Sequence, residues 1–179
     1  MNIEFQPSGF EQGTYLNVGA QWLWRPSSTF VFEYGDPIRV QFSAKNSKGF
    51  VTFESKAQFA AAARDIARAA AKEMVKLREI FGTLDSSMRT WRRAKDQHAY
   101  HLGVACGLSK RPREAHAYFS ASRPKNPEHE WQRAQDELIR ELTELVGMPD
   151  AFRGRVTEIV QRQRESLKLE PARAIELPS

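Results

Sequence analysis

Residues 14–24 read TYLNVGAQWLW, and hydrophobic side chains fall on every second residue of this stretch. In an extended segment successive side chains point to opposite faces, so one face is apolar. That face carries Leu16, Val18, Ala20, Trp22 and Trp24. The alternation predicts a strand with one buried side, and it marks the first third of the chain as β-structure.

The same two-residue period recurs at 29–34, 38–42 and 51–53, and Ile3 with Phe5 predicts a short strand before them. Turn-forming residues separate these runs, among them the stretches at 25–28, 35–37 and 46–49. Short connections between alternating strands favour antiparallel pairing. We therefore predict an N-terminal antiparallel β-meander of about four strands.

After residue 54 the period changes to that of a helix. Ser55 followed by Gln58 has the spacing of a capping box, and Gly82 is suited to a helix end because glycine accepts a left-handed backbone. Apolar residues between them recur every three or four positions, which predicts one long amphipathic helix that covers the sheet. They are Phe59, Ala63, Ile66, Ala70, Met74, Leu77 and Phe81.

Further helices are predicted at 86–108, with a break near Asp96, and at 112–122. Two more begin at Pro127 and Pro149, since proline suits the first helical position. Trp131 and Leu138 are predicted core residues of the first of these, and Phe152 of the second. The fold class is thus predicted as α+β in a single domain over 1–179, with a sheet part (1–54), a helical bundle (55–170) and an irregular tail (171–179).

Composition narrows the class of protein. Of the 179 residues 41% are hydrophobic and 27% charged, which is ordinary for a globular chain with its own core. A single cysteine, Cys106, excludes an internal disulfide framework and fits a reducing compartment. We find no apolar run that could span a bilayer and no signal-peptide pattern at the start. The sequence therefore predicts a cytoplasmic protein without a membrane partner.

The net charge of +5 is unevenly distributed. Residues 55–127 hold 15 basic and 6 acidic residues, whereas 128–179 hold 8 basic and 11 acidic residues. An excess of positive charge attracts either an acidic protein surface or a nucleic acid. The alternative is that the acidic C-terminal helices neutralise it within the fold.

Two resemblances concern parts of the chain. The segment YHLGVACGLSKRPREAHAYFSAS, with Leu102, Gly103, Ala115, Phe119 and Pro127, resembles one tetratricopeptide-like helical hairpin over 99–127. That resemblance implies two closely packed helices. The segments GTYLNVGAQWLW and FVFEYGDPIRVQF resemble small bacterial proteins of unknown function, which implies α+β architecture and transfers no functional residue.

The acidic residues Glu33, Asp36 and Glu54 are the candidate site if the protein is an enzyme. Glu54 lies in a Glu-x-Lys sequence, which restriction-like nucleases use in a metal-dependent site. The ordinary explanations are a hairpin turn at Asp36 and favourable placement of Glu54 at a helix N-terminus.

His98 and His101 lie one helical turn apart, but they lack the recognised spacing of a zinc site and are predicted to be partly exposed. Cys106 with His116 would form a nucleophile pair only if the fold joined them; otherwise the thiol packs as a small hydrophobe. We predict no catalytic residue, metal or cofactor.

The predicted function is a non-enzymatic protein-interaction or accessory protein with an acidic protein partner; the oligomeric state is left open. The first alternative is a nucleic-acid-binding accessory protein that contacts phosphates, with Trp91 as a stacking ring or a core residue, and the second is a metal-dependent nuclease-like enzyme. Arginine suits either carboxylate or phosphate. The predicted binding surface comprises Arg89, Arg92, Arg93, Lys95, Lys110, Arg111 and Arg113, joined by a polar sheet face of Tyr15, Asn17, Gln21, Arg39 and Gln41.

Overall fold

The structure, a computed structural model, describes residues 2–7, 12–34, 38–39, 50–94 and 98–170. Within these ranges the chain forms four strands and six helices. They are β1 (Asn2–Pro7), β2 (Gly13–Gly19), β3 (Ile38–Arg39), β4 (Phe50–Thr52), α1 (Lys56–Phe81), α2 (Leu84–Arg93), α3 (Ala99–Leu108), α4 (Pro112–Ser122), α5 (Glu130–Leu145) and α6 (Pro149–Ser166). The α+β class with a small antiparallel sheet and several helices is confirmed.

The chain divides into two compact units. The first unit comprises Met1–Gln21 and Thr29–Gly82, and the second comprises Trp22–Ser28 and Thr83–Ser179. The division does not follow the predicted boundary at residue 54, because the helix at 56–81 belongs to the first unit with the sheet and the segment 22–28 belongs to the second unit. That the whole chain is a single domain stays a prediction.

The sheet of the first unit is centred on β2. β1 runs antiparallel along one edge of β2, with Asn2 opposite Gly19 and Pro7 opposite Thr14. β3 and β4 both pair with β2, at Asn17–Val18 and at Gly13–Tyr15 respectively. Since β1 occupies one edge, the two short strands share the other. The structure therefore does not show the predicted four-strand meander.

Residues 29–34, predicted as a strand, are not one. Their backbone is tied by separate hydrogen bonds: the Glu33 N–H donates to the Ala20 carbonyl at 3.0 Å, and the Val31 N–H donates to the Gln21 side chain at 3.3 Å. Phe30, a predicted core residue, is 52% exposed. The Asp36 turn, the 46–49 turn and most of the predicted third strand lie outside the described residues.

The predicted cover of the sheet by a long helix is confirmed. Leu16, Val18 and Val51 from the strands form one buried cluster with Ile66, Ala70 and Leu77 from α1, and Phe59, Met74 and Phe81 pack against it. Ala63 is exposed and does not belong to this stripe. Burial of this apolar area is the main stabilising contribution in the first unit.

The α1 N-terminus is capped as the sequence indicates. The Gln58 N–H donates to Ser55 Oγ at 3.1 Å, while Gln58 Oε1 accepts from the Glu54 N–H at 3.2 Å. At the other end α1 stops before Gly82 as predicted, but the prediction that this glycine provides a left-handed backbone is wrong. Gly82 has φ −70° and ψ −22°, a right-handed conformation. Thr83 follows immediately as the N-cap of α2, with an extended backbone at φ −132° and ψ 159°.

The second unit has its core among α3, α4, α5 and α6. Its largest fully buried side chains include Trp91, Phe119, Phe152, Ile139 and Leu142. α6 begins at Pro149 as predicted, whereas α5 begins at Glu130 rather than Pro127. None of the helices in the described ranges combines the length and the hydrophobicity needed to cross a membrane.

Candidate interaction surface on helices α2 to α4

The predicted basic residues cluster on one side of the second unit. Arg89, Arg92 and Arg93 belong to α2, Lys110 and Arg111 form the α3–α4 turn, and Arg113 lies in the first turn of α4. All six side chains are exposed. Lys95 lies outside the described residues. We call these six residues the basic surface.

Glu114 brings the two halves of this surface together. Its Oε2 accepts from Arg92 Nη2 at 2.9 Å, and its Oε1 lies 3.9 Å from Arg111 Nη1. The three side chains are 40–47% exposed, so solvent screens these pairs and each contributes little to stability. The pairs do, however, show that an arginine of α2 and one of the α3–α4 turn face the same carboxylate.

The other four members of the basic surface remain unneutralised. Arg89, Arg93, Lys110 and Arg113 make no ion pair with any residue in the described ranges. Among the described residues, one carboxylate thus pairs with two of the six cations, and the other four leave positive charge exposed to solvent.

In the described ranges no carboxylate of α5 or α6 makes an ion pair with the basic surface. Asp136 accepts from Arg123 Nε at 2.7 Å and from Arg140 at 2.8 Å. Glu141 binds Arg155 in a two-pronged pair, at 2.6 and 2.9 Å. Arg123 belongs to the basic stretch 55–127, so Asp136 neutralises part of that excess, but none of these three arginines belongs to the basic surface.

Tyr118 lies close to Arg92, and its hydrogen bond is the main cause that raises the pKa of the Arg92 guanidinium. Cys106 lies nearby and is completely buried. Burial raises the pKa of the Cys106 thiol, and Glu114 adds to this. The thiol is therefore protonated at neutral pH and packs as a small hydrophobe, as predicted.

The turn between α3 and α4 has a defined geometry. Lys110 adopts φ 57°, in the left-handed region, and its N–H donates to the Gly107 carbonyl at 3.1 Å. The Arg111 N–H reaches back to the Cys106 carbonyl at 2.9 Å. This pair of bonds is a Schellman motif with lysine where glycine is usual. The turn fixes the direction in which the chain leaves α3.

The α3–α4 hairpin is closely packed, as the tetratricopeptide-like spacing implies. A Cβ built on Gly103 would lie 2.6 Å from the Phe119 ring, so only glycine permits this approach. Ala115 and Phe119 are fully buried. Close packing alone does not make the segment a repeat, and the family resemblance stays a prediction.

An aromatic cluster lies beneath α2, where sequence reasoning misplaced several residues. Trp22 and Trp24, predicted on the sheet face, instead contact Trp91 at ring-centroid distances of 4.9 and 6.2 Å. Trp91 is fully buried and thus a core residue. His101, predicted to be partly exposed, is 2% exposed, and its Nδ1 accepts from the Trp24 indole N–H at 3.0 Å.

His98 is also buried rather than partly exposed, at 8%. It contacts the rings of Trp22 and Trp91. Nothing in the sequence pattern signals this burial, because Trp22, which contacts both histidines together with Trp91, lies more than seventy positions earlier in the chain.

The polar sheet face is largely absent. Asn17 is 3% and Gln21 8% exposed, so the prediction that these side chains form a surface is wrong. Gln21 is buried because it bonds the backbone of residues 29–31. Tyr15 is half-buried, with its ring 4.7 Å from that of Phe50. Arg39 pairs with Asn17 in the strand register. Gln41 lies outside the described residues.

The catalytic alternatives gain no support from the described side chains. Glu54 precedes α1 and Lys56 opens it, and Asp36 lies outside the described residues. In the described ranges no three histidine, cysteine, aspartate or glutamate side chains converge as a metal site would require. His116 is exposed on α4 whereas Cys106 is buried, so the two are not arranged as a nucleophile and its base.

Comparison with known proteins does not assign the chain to a family. No family model, no curated protein and no solved structure matches it.

Proposed function

We propose that this chain is a non-enzymatic binding protein that docks its basic surface against an acidic surface of a protein partner. The observation that carries the proposal is the convergence of Arg92 and Arg111 on Glu114 beside four cations without ion pairs in the described structure. Carboxylates of a partner would complete these pairs in two-pronged geometry and would speed the encounter electrostatically.

A protein partner is favoured over a nucleic acid by the position of Trp91. Binding of single strands generally combines a positive track with aromatic rings on which bases stack. Trp91 is the ring interleaved with these arginines, and it is fully buried among Trp22, Trp24 and His101. It is thus unable to serve as a stacking platform while the fold is intact.

The decisive experiment changes three of the unneutralised arginines, Arg89, Arg93 and Arg113, to glutamate. The matched control reverses Arg64, Lys72 and Arg78, three exposed cations of α1 that also make no ion pair among the described residues. Both variants lose the same net charge. Wild type and the two variants serve as bait in parallel pull-downs followed by mass spectrometry.

We expect partners that wild type and the α1 control recover equally and that the surface variant loses. Recovery of the same partners by all three proteins would contradict the proposal. Binding of DNA or RNA is measured alongside at low and moderate salt, since phosphate contacts weaken steeply as salt rises. If the surface variant loses nucleic-acid binding and no protein partner, the nucleic-acid alternative replaces our proposal.

A further inference from the structure

A groove on the second unit is separate from the basic surface and was not foreseen from the sequence. The segment 25–28 forms one wall, and α5 and α6 form the other. Its volume is about 670 Å³. The lining includes Pro26, Ser27, Trp131, Leu138, Ile159 and Arg162.

A smaller cavity of about 230 Å³ continues this groove. Pro26, Trp131 and Leu138 line both spaces, and Tyr100 with Ala134 adds apolar surface to the smaller one. A small apolar cavity that opens into a longer groove can receive one bulky side chain of a chain that runs along the groove.

From this geometry we propose that the groove binds an extended acidic peptide segment, with one bulky apolar side chain in the smaller cavity. The site is independent of the basic surface and adds a second recognition element to the same unit. The apolar residues of the lining predict the bulky side chain of the ligand, and its arginines predict the acidic residues on either side.

The walls of the groove are fixed before any ligand arrives. Gln163 is 4% exposed, and its side-chain amide pairs with the backbone of Ser27: Oε1 accepts at 3.0 Å and Nε2 donates at 2.7 Å. The Tyr100 hydroxyl donates to the carbonyl of Trp24 at 2.8 Å and so fixes the residue that directly precedes the wall segment 25–28. A preformed site loses little conformational entropy on binding.

Trp131 is the natural anchor for an incoming side chain. It is 62% exposed, the highest value among the exposed large hydrophobic residues of the described ranges. Its ring stacks on His129 at a centroid distance of 6.3 Å and 13° between planes, which supports one orientation. Exposed, oriented tryptophans dominate the energetics of many interfaces.

The charge of the lining selects an acidic ligand. The described residues that line the two cavities include Arg25, Arg155 and Arg162 and no aspartate or glutamate. Arg155 is already engaged by Glu141 and Glu158. Arg162 is exposed and makes no ion pair with the described part of the chain. It is therefore the cation available to a carboxylate of the ligand.

A peptide fits this lining better than a nucleic-acid strand does. A nucleic-acid strand presents a phosphate at every nucleotide and therefore needs a row of cations. The groove offers one available arginine next to an apolar cavity, which suits a peptide with a few carboxylates around one bulky side chain. The backbone of a peptide also suits the polar groups of Ser28 and Ser166 along the open part of the groove.

The test uses the full chain labelled with ¹⁵N and a library of short peptides. Each peptide has a central leucine, phenylalanine or tryptophan flanked by random aspartate, glutamate, serine and glycine. A matched library has lysine in place of the acids, and oligothymidine is a third probe. We expect the acidic library to shift the Trp131 indole signal, and Trp131→Ala and Arg162→Glu each to weaken the best binder about tenfold or more.

Two controls keep the result specific. Met148→Ala removes an exposed apolar side chain outside the groove, and Lys125→Glu reverses an exposed charge outside both the groove and the basic surface; both should leave peptide affinity within about twofold. The inference is overturned if no acidic peptide binds, if the lysine library or oligothymidine binds equally well, or if Lys125→Glu weakens binding as much as Arg162→Glu does. None of these outcomes bears on the pull-down test of the basic surface.

Discussion

Gly103→Ala tests the close approach of α3 and α4, on which the position of the basic surface depends. A Cβ at residue 103 would lie 2.6, 2.7 and 3.0 Å from three atoms of the Phe119 ring. Normal carbon contacts are about 3.5–4.0 Å, so the ring or the helix has to move by roughly 1 Å. Phe119 is fully buried, so its ring cannot move out into solvent without exposing apolar surface.

The expected magnitude follows from two opposing effects. Alanine in a helix interior is favoured over glycine by about 1 kcal/mol, and overpacking of a dense core costs about 1–3 kcal/mol. Gly154 provides the matched control, since it lies inside α6 and a Cβ there would meet nothing within 4 Å. Gly154→Ala should therefore stabilise by up to about 1 kcal/mol, and Gly103→Ala should fall about 1–3 kcal/mol below it.

Urea unfolding followed by circular dichroism measures both variants, and the comparison is made at equal m-value. The double variant Gly103→Ala, Phe119→Leu should recover part of the loss, because the smaller side chain vacates the contested space. If Gly103→Ala stabilises as much as Gly154→Ala, the helices are not in the contact described here, and the arrangement of Arg92, Arg111 and Glu114 loses its basis.

Two further predictions concern a carboxylate and a turn. The hydrogen bond from Arg123 is the main cause that lowers the pKa of Asp136; its contribution to stability is complete above the unfolded-state pKa of about 3.9 and is lost as pH falls through the lower folded-state value. The difference in unfolding free energy between wild type and Asp136→Asn should thus shrink in that acidic range, and a difference that is independent of pH would contradict the pairing. Lys110→Gly should raise stability by about 0.5–1 kcal/mol because glycine adopts the left-handed backbone without strain, and equal or lower stability in thermal unfolding would contradict the Schellman geometry of the α3–α4 turn.

The sequence by itself determined the elements whose signals are local. The two-residue period at 14–18 gave β2 and its buried Leu16 and Val18, and the three- and four-residue period after Ser55 gave α1. Proline at 112 and 149 marked the first residues of α4 and α6. These features depend on the conformational preferences of neighbouring residues, so the chain reveals them without any knowledge of distant contacts.

Other elements were predicted less well where the pattern was ambiguous. The run at 29–34 alternates like a strand, yet Gln21 and Ala20 satisfy its backbone groups and no ladder forms. Pro127 suits a helix start, but α5 begins three residues later with His129 as its cap. In both places the local residue preferences are compatible with several backbone conformations, and contacts with other parts of the chain determine which one forms.

The tertiary structure alone decided which side chains are available to a partner. Trp22, Trp24 and Trp91 enclose His98 and His101, which removes from the surface both histidines and the ring that would have suited a nucleic acid. Trp131, by its helical position a core residue, lies exposed at a groove instead. Periodicity shows which face of an element is apolar, but exposure depends on which other element covers that face, and that is set by residues far apart in the chain.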